Sequence, residues 1–287
     1  MIKLSGVRGR TGEGTAGSFS VVTEEIAMLL CVDAGNTNIT LGVFDGEEMR
    51  GPYRMTTRSD RTSDEYGVIL TDILQYNGMN PSSVEDCILS SVVPKINYSL
   101  INGIYKYFGI HPLLVEAGIK TGIRIVTENP KQIGADRIVD AAGAYEIYGG
   151  PCLVLDYGTA TTYDLIGDDG AFEAAVIAPG IRISASALWE RAAKLPEVEL
   201  TKPKSILAKE TISSMQAGLI FGQIGQTEYI VREMIRASGY QKVKVIATGG
   251  LGGMIAKETD CIDIYDPNLT LLGLKIIYQK QRRRVQK

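Results

Sequence analysis

The chain has 287 residues, of which 45% are hydrophobic, and its 30 basic and 33 acidic residues leave a net charge of −3. This length supports one large domain or two smaller ones, and the weak net charge argues against nucleic acid or an anionic membrane as a partner. The single histidine, His111, excludes a site built on two histidines, and four widely spaced cysteines indicate reduced core residues. No apolar run approaches the ~20 residues of a membrane span. We therefore expect a cytoplasmic protein.

The first 27 residues are rich in glycine, serine and threonine and poor in large apolar side chains. We predict that residues 1–27 are a leader that is poorly ordered or non-native. A second methionine, Met28, stands directly before the first convincing strand, and the functional part of the chain is expected to begin there.

From Met28 onward the hydrophobic pattern alternates between strands and helices, which indicates an α/β protein. Ser63 or Asp64 is predicted to cap the first helix. The predicted strands cover 28–33, 38–44, 86–92, 113–115, 152–156 and 243–248, and the predicted helices cover 64–77, 97–109, 135–148, 212–237 and 269–282.

Two segments of the chain repeat one pattern. An apolar strand ends at Asp33 and is followed by a Gly/Asn/Thr-rich turn, a β segment and an Asp-Gly turn. The same order recurs after Asp156, with the sequence DYGTATT at 156–162. We infer an internal duplication that lets the two turns face each other across a cleft.

Backbone N–H groups around a glycine, together with Ser or Thr hydroxyls, are suited to binding phosphate, although a plain polar hairpin turn is the alternative. Neither turn matches a Walker A loop, and the glycines at 249–253 do not complete a G-x-G-x-x-G motif. Gly249-Gly250 is equally compatible with a flat platform for an adenine ring and with an ordinary strand-to-helix turn.

A third segment, NPKQIGADR at 129–137, places Asp136 and Arg137 in the first turn of a predicted helix. An aspartate there often only interacts with the helix dipole, and on the residues alone we favour that interpretation. The alternative is chemical: Asp136 accepts a proton from a substrate hydroxyl while Arg137 holds a polar or anionic part of the substrate.

Together, DAGNTN at 33–38, NPKQIGADR at 129–137 and DYGTATT at 156–162 resemble the motifs of the type III pantothenate kinase family in order and spacing. The resemblance covers residues 28 to about 278. It implies two ribonuclease-H-like domains of the acetate/sugar kinase–Hsp70–actin superfamily, with a nucleotide cleft between them. We assign the domains to residues 28–145 and 146–287, the second including the terminal helix.

The resemblance also implies ATP-dependent phosphorylation of pantothenate, the first step of coenzyme A biosynthesis, by a homodimer that uses Mg²⁺ and a monovalent cation, K⁺ or NH₄⁺. By this resemblance Asp136 is the catalytic base, Asp33 organises Mg²⁺, and Asp156 binds the monovalent cation. The implied ATP and phosphate contacts are Asp33, Ala34, Gly35, Asn36, Thr37, Asn38, Ile39, Thr40 and Thr159. The implied substrate contacts are Thr127, Gly134, Ala135, Asp136, Arg137 and Thr211.

The chain departs from the family pattern at Thr127, where many members carry a tyrosine. This departure bears on the substrate pocket and motivates one alternative, a kinase for another small hydroxyl substrate. A second alternative is a nucleotide-binding regulator of the same fold without catalysis. Loss of a carboxylate would favour a regulator, and all three of the carboxylates with assigned roles are present.

Overall fold

The computed structural model describes residues 28–116 and 118–285, so the predicted leader lies outside the described residues. The first sheet contains five strands in the order β3-β2-β1-β4-β5. Strands β1 to β3 form an antiparallel meander, and β4 and β5 run parallel to β1. The strands are β1 (Met28–Ala34), β2 (Asn38–Asp45), β3 (Glu48–Thr56), β4 (Val84–Ser91) and β5 (Leu113–Leu114).

The second sheet repeats this topology. Its order is β11-β10-β7-β8-β9-β6, in which β7 to β9 form the meander and β10 and β11 are parallel to β7. The additional strand β6 extends the sheet at the β9 edge. The predicted internal duplication is therefore confirmed at the level of topology. The strands are β6 (Arg124–Ile125), β7 (Cys152–Tyr157), β8 (Ala160–Ile166), β9 (Ala171–Pro179), β10 (Lys244–Thr248) and β11 (Ile264–Tyr265).

Seven α-helices occur in the described residues, and none of them is long and apolar enough to cross a membrane. The first helix begins one residue before the predicted start. Its cap is Thr62 and not Ser63 or Asp64, because Thr62 and Glu65 form a reciprocal capping box. The helices are α1 (Ser63–Tyr76), α2 (Pro94–Phe108), α3 (Ala135–Tyr148), α4 (Ile181–Arg191), α5 (Thr211–Ser238), α6 (Gly252–Ala256) and α7 (Leu269–Val285).

The central strands β1 and β7 carry apolar side chains on both faces, and helices cover both of these faces. In β1, Leu30 and Val32 pack in the cluster that contains α1 and α2, whereas Leu29 and Cys31 pack in the cluster that contains α3 and α7. The second sheet packs against α4, α5 and α6 on one face, and on the other its core includes alanines of α3. Helix α3 therefore contributes to the cores of both sheets.

The terminal helix α7 packs against α3 and the first sheet, although it follows the second sheet in the chain. Strand β6 precedes α3 and yet belongs to the second sheet. The chain thus passes between the two units more than once. A division at residue 145 stays a prediction.

Two glycines allow α3 and α7 to approach closely. A Cβ on Gly273 would lie 2.2 Å from the carbonyl oxygen of Val139, and a Cβ on Gly143 would lie 3.0 Å from the carbonyl oxygen of Leu269. Backbone atoms cannot move aside as a flexible side chain can, so the crossing needs glycine on α7.

We predict that Gly273→Ala lowers the free energy of unfolding by about 1–3 kcal/mol because it overpacks this crossing. The matched control is Gly225→Ala in the middle of α5, where an added Cβ meets no atom within 4 Å. The control should stabilise the chain by about 0.5–1 kcal/mol through helix propensity. Urea unfolding of the two variants measures both effects, and equal stabilities would contradict the packing argument.

Candidate active site

The two repeated turns meet at the strand ends. The Thr37 and Thr159 hydroxyl oxygens lie 3.0 Å apart, although 122 positions separate these residues in the chain. Each turn is closed in the same way: the Gly35 amide donates to the carbonyl of Asn38, and the Gly158 amide donates to the carbonyl of Ala160. The turns that the sequence predicts to face each other are therefore in contact.

The predicted phosphate-binding residues of the first turn differ in exposure. Asn36, Thr37 and Asn38 are exposed, whereas the Ala34 and Ile39 side chains are fully buried in the core. Ala34 and Ile39 can offer a nucleotide only their backbone groups. Thr40 is partly buried on β2, directly opposite Asp33 in the strand register.

Gly249 supports the second turn by close packing. It follows β10 with a φ of +86°, and a Cβ on it would lie 2.4 Å from Asp156 Oδ1 and 2.6 Å from the Tyr157 amide nitrogen. At Gly250, by contrast, an added Cβ would meet no atom within 4 Å. Close packing therefore explains why glycine stands at position 249. It does not explain Gly250, so the role of Gly250 in a platform for an adenine ring stays a prediction.

Asp33 and Asp156 occupy equivalent positions at the ends of β1 and β7. Burial, and then the charge of Asp136, raise the pKa of Asp33 to about 7, with a smaller opposing effect from Ser90. Burial, and then the charges of Asp136, Asp33 and Asp164, raise the pKa of Asp156 to about 7. Asp136 therefore raises the pKa of both carboxylates, and Asp33 also raises the pKa of Asp156.

These carboxylates fit a site that receives a cation. The Oδ1 atom of Asp33 is buried and has no hydrogen-bond partner among the described residues. Within residues 28–116 and 118–285, no group of three acidic, histidine or cysteine side chains converges closely enough to hold a metal by itself. Mg²⁺ usually binds through one or two carboxylates, substrate phosphates and water, so a single organising carboxylate is adequate.

Asp136 lies in the first turn of α3, where it accepts a hydrogen bond of 2.8 Å from the Arg137 amide. Burial raises the pKa of Asp136, and Arg137 partly opposes this shift. A Cβ on Gly134 would lie 2.4 Å from Asp136 Oδ1, so the glycine leaves room for this carboxylate. The helix-terminus role and the chemical role predicted for Asp136 are compatible in this position.

Arg137 forms a buried ion pair that the sequence did not predict. Its Nε donates to both carboxylate oxygens of Asp164, at 3.0 and 3.2 Å, and its Nη2 donates to Oδ1. The two side chains are 12% and 2% exposed, and the guanidinium lies over the Phe172 ring. The pair ties the start of α3 to the second sheet. A substrate contact by Arg137 stays a prediction.

The other predicted substrate residues, Thr127, Ala135 and Thr211, lie in three different environments. Thr127 is partly buried, and its hydroxyl has no hydrogen-bond partner among the described residues. Ala135 begins α3 and packs in the cluster of the first sheet. Thr211 is exposed at the start of α5, and no hydrogen bond of the described residues joins it to the two turns. The substrate roles of these three residues stay predictions.

We predict that Arg137→Ala lowers the free energy of unfolding by about 3–5 kcal/mol, because it leaves Asp164 buried without a partner. The double variant Arg137→Met/Asp164→Leu should regain most of this loss, since neither charge remains. Arg124→Ala is the control, because its partner Asp169 forms an exposed pair with it. That change should cost less than about 1 kcal/mol. Denaturant unfolding would contradict the argument if the two single variants were equally stable.

Two solved structures share this fold at low sequence identity. One is a conserved protein from Campylobacter jejuni described within the Baf family of transcriptional activators, with a TM-score of 0.55, 19% identity and coverage of 88% of this chain and 99% of that one. The other is a Sinorhizobium meliloti protein described as a 2-dehydro-3-deoxygalactonokinase, with a TM-score of 0.55, 15% identity and coverage of 88% and 96%. The fold is that of the acetate/sugar kinase–Hsp70–actin superfamily, as predicted.

Sequence comparison is more specific. The family model for type III pantothenate kinase matches residues 29–233. A type III pantothenate kinase from Agathobacter rectalis is 58% identical over 257 residues, which cover 90% of this chain and 99% of that protein. The chain therefore belongs to the type III pantothenate kinase family.

Proposed function

We propose that the chain transfers the γ-phosphate of ATP to the hydroxyl of pantothenate and forms 4'-phosphopantothenate, the first step of coenzyme A biosynthesis. The observation that carries the proposal is the contact between the two turns at Thr37 and Thr159, next to the carboxylates of Asp33 and Asp136. Phosphoryl transfer requires mainly alignment and charge neutralisation. The facing turns would align the phosphates, and the carboxylates would hold the cations that neutralise the phosphate charge. The proposed location is the cytoplasm.

The two turns bind the phosphates through backbone N–H groups and threonine hydroxyls. Asp33 would hold Mg²⁺ and Asp156 the monovalent cation, and these ions, when bound, neutralise charge on the phosphates. Like charges at Asp33, Asp136 and Asp156 make a cation at this position favourable. Asp136 lies in the first turn of α3.

In the proposed reaction the pantothenate hydroxyl oxygen forms a bond to the γ-phosphorus. The bond between that phosphorus and the oxygen bridging to the β-phosphate breaks, and ADP leaves. Asp136 accepts the hydroxyl proton. Its raised pKa brings it closer to neutral pH, which suits a general base.

We also propose that the chain acts as a homodimer. Large apolar side chains are exposed on β9, on α4, on the segment before α5 and on the first turn of α5, and this exposure supports a covered surface there. They are Ile177, Ile183, Ile206, Leu207 and Ile212.

We predict that Asp136→Asn lowers kcat for pantothenate about 10²–10⁴-fold, because the variant cannot accept the hydroxyl proton. ATP binding should change little. The control is Asp168→Asn on the β8–β9 turn, which should retain wild-type activity. ADP release measured with pantothenate, Mg²⁺ and K⁺ tests the prediction.

Full activity of Asp136→Asn would remove Asp136 as the base. Faster turnover of another hydroxyl substrate by the wild type would favour the alternative kinase.

We predict that Thr159→Val weakens ATP binding about 10- to 150-fold, since a hydrogen bond to a charged group is worth roughly 1.5–3 kcal/mol. The control is Thr71→Val on α1, which removes a buried hydroxyl that has no partner among the described residues. Calorimetric titration with ATP and Mg²⁺ measures both affinities. Equal affinities would show that the second turn does not bind the nucleotide. ATP binding without turnover of any acceptor by the wild type would instead favour a regulator.

A further inference from the structure

One buried carboxylate near the cleft belongs to none of the motifs considered above. Asp140 lies one helical turn after Asp136 on the same face of α3, and its side chain is only 3% exposed. Its Oδ1 atom is buried and has no hydrogen-bond partner among the described residues. Burying a carboxylate oxygen without a hydrogen-bond partner costs free energy unless a nearby group compensates its charge.

The charged groups that act on Asp140 are themselves carboxylates. Burial, and then the charge of Asp156, raise the pKa of Asp140 well above its ordinary value. The Thr270 hydroxyl, in the first turn of α7, opposes this shift, and Asp136 and Asp33 add smaller raising effects. Arg137, the nearby cation of α3, is engaged by Asp164. Ala144, one turn further along this face of α3, packs in one cluster with Val154, which shares a face of β7 with Asp156. This face of α3 therefore runs along β7 toward Asp156, and no basic side chain is among the groups that shift the pKa of Asp140.

Two threonine hydroxyls are the neutral oxygen donors available to Asp140 and Asp156. Thr162 stands opposite Asp156 in the register of β7 and β8, so that the two side chains lie on the same face of the sheet. Its hydroxyl oxygen is buried and, among the described residues, has no hydrogen-bond partner. Two carboxylates and the hydroxyls of Thr162 and Thr270 form a set of hard oxygen donors, which selects a hard cation.

We propose that Asp140 is a second carboxylate ligand of the monovalent cation at Asp156, with Thr162 and Thr270 as neutral oxygen donors. This inference rests on the proposed function, which places a monovalent cation at Asp156. Mg²⁺ fits this position less well, because it demands near-ideal octahedral geometry and keeps several waters, whereas Asp140 is almost completely enclosed. The more exposed phosphate side of the cleft, at Asp33, is left for Mg²⁺.

The test is the thermal stability of Asp140→Asn as a function of K⁺, with choline chloride holding the ionic strength constant. We expect K⁺ to raise the unfolding temperature of the wild type. In the variant, the K⁺ concentration for half of this effect should rise at least about 10-fold, a typical loss when a metal site is perturbed. Without K⁺, the variant should be as stable as the wild type or more stable, because one of two repelling charges is gone.

The matched control is Asp266→Asn. Asp266 is also a buried carboxylate, but both of its oxygens are bonded, Oδ2 to the Tyr148 hydroxyl and Oδ1 to the Asn268 amide. This control should lose stability with and without K⁺ and keep the wild-type K⁺ dependence. If Asp140→Asn does not fold, Asp140→Ala serves in its place with the same expectation.

An unchanged K⁺ dependence in the Asp140 variant would overturn the inference. So would weaker Mg²⁺ binding in place of weaker K⁺ binding, measured by Mg²⁺ titration at saturating K⁺. A wild type that phosphorylates pantothenate but gains no stability from K⁺ would overturn the inference and leave the proposed reaction intact. A wild type that is stabilised by K⁺ but does not phosphorylate pantothenate would overturn the proposed reaction and leave the cation site intact.

Discussion

The main physical constraint on this structure is the burial of several carboxylates near the ends of equivalent strands in the two sheets. Asp33 and Asp156 end equivalent strands, and Asp136 and Asp140 project from the helix between the sheets. Their repulsion is unfavourable in the free chain, since Asp33, Asp136 and Asp156 each raise the pKa of at least one other carboxylate of this group. Cations and a nucleotide held by the two turns would remove this penalty, so the same residues that destabilise the empty cleft favour its occupation.

The surrounding fold keeps these charges in place. Helix α3 packs against both sheets, and its glycine-lined crossing with α7 joins the end of the chain to the first sheet. The Arg137–Asp164 pair fixes the start of the same helix to β8. Asp136 is therefore held on a rigid element that packs against both sheets, and preorganisation of this kind is what phosphoryl transfer requires.

Much of this architecture could be predicted from the sequence because its signals are local. Buried strands that end in Asp33 and Asp156, followed by similar turns, predicted both the duplication and the facing turns. The contact between Thr37 and Thr159 agrees with that prediction. The helix at 135–148 was also predicted with the observed bounds, since its alanine-rich pattern is continuous.

Other features depend on contacts between distant residues and could not be predicted in this way. The Arg137–Asp164 pair joins a helix to a strand 27 positions later, and Asp164 stands within an otherwise buried stretch of that strand. The packing of α7 against α3 and the first sheet, although α7 follows the second sheet in the chain, also depends on contacts between distant residues. Strand β3 was missed because its sequence lacks a continuous apolar run, and it is held by pairing with β2 in the meander.

The most direct test of the central claim is a crystal structure of the chain with a non-hydrolysable ATP analogue, Mg²⁺, K⁺ and pantothenate. The account predicts that the terminal phosphates lie between the turns at 34–38 and 157–162. It also predicts that the pantothenate hydroxyl lies within about 3 Å of an Asp136 carboxylate oxygen. A nucleotide that contacts only one turn, or a hydroxyl that faces away from Asp136, would contradict the account.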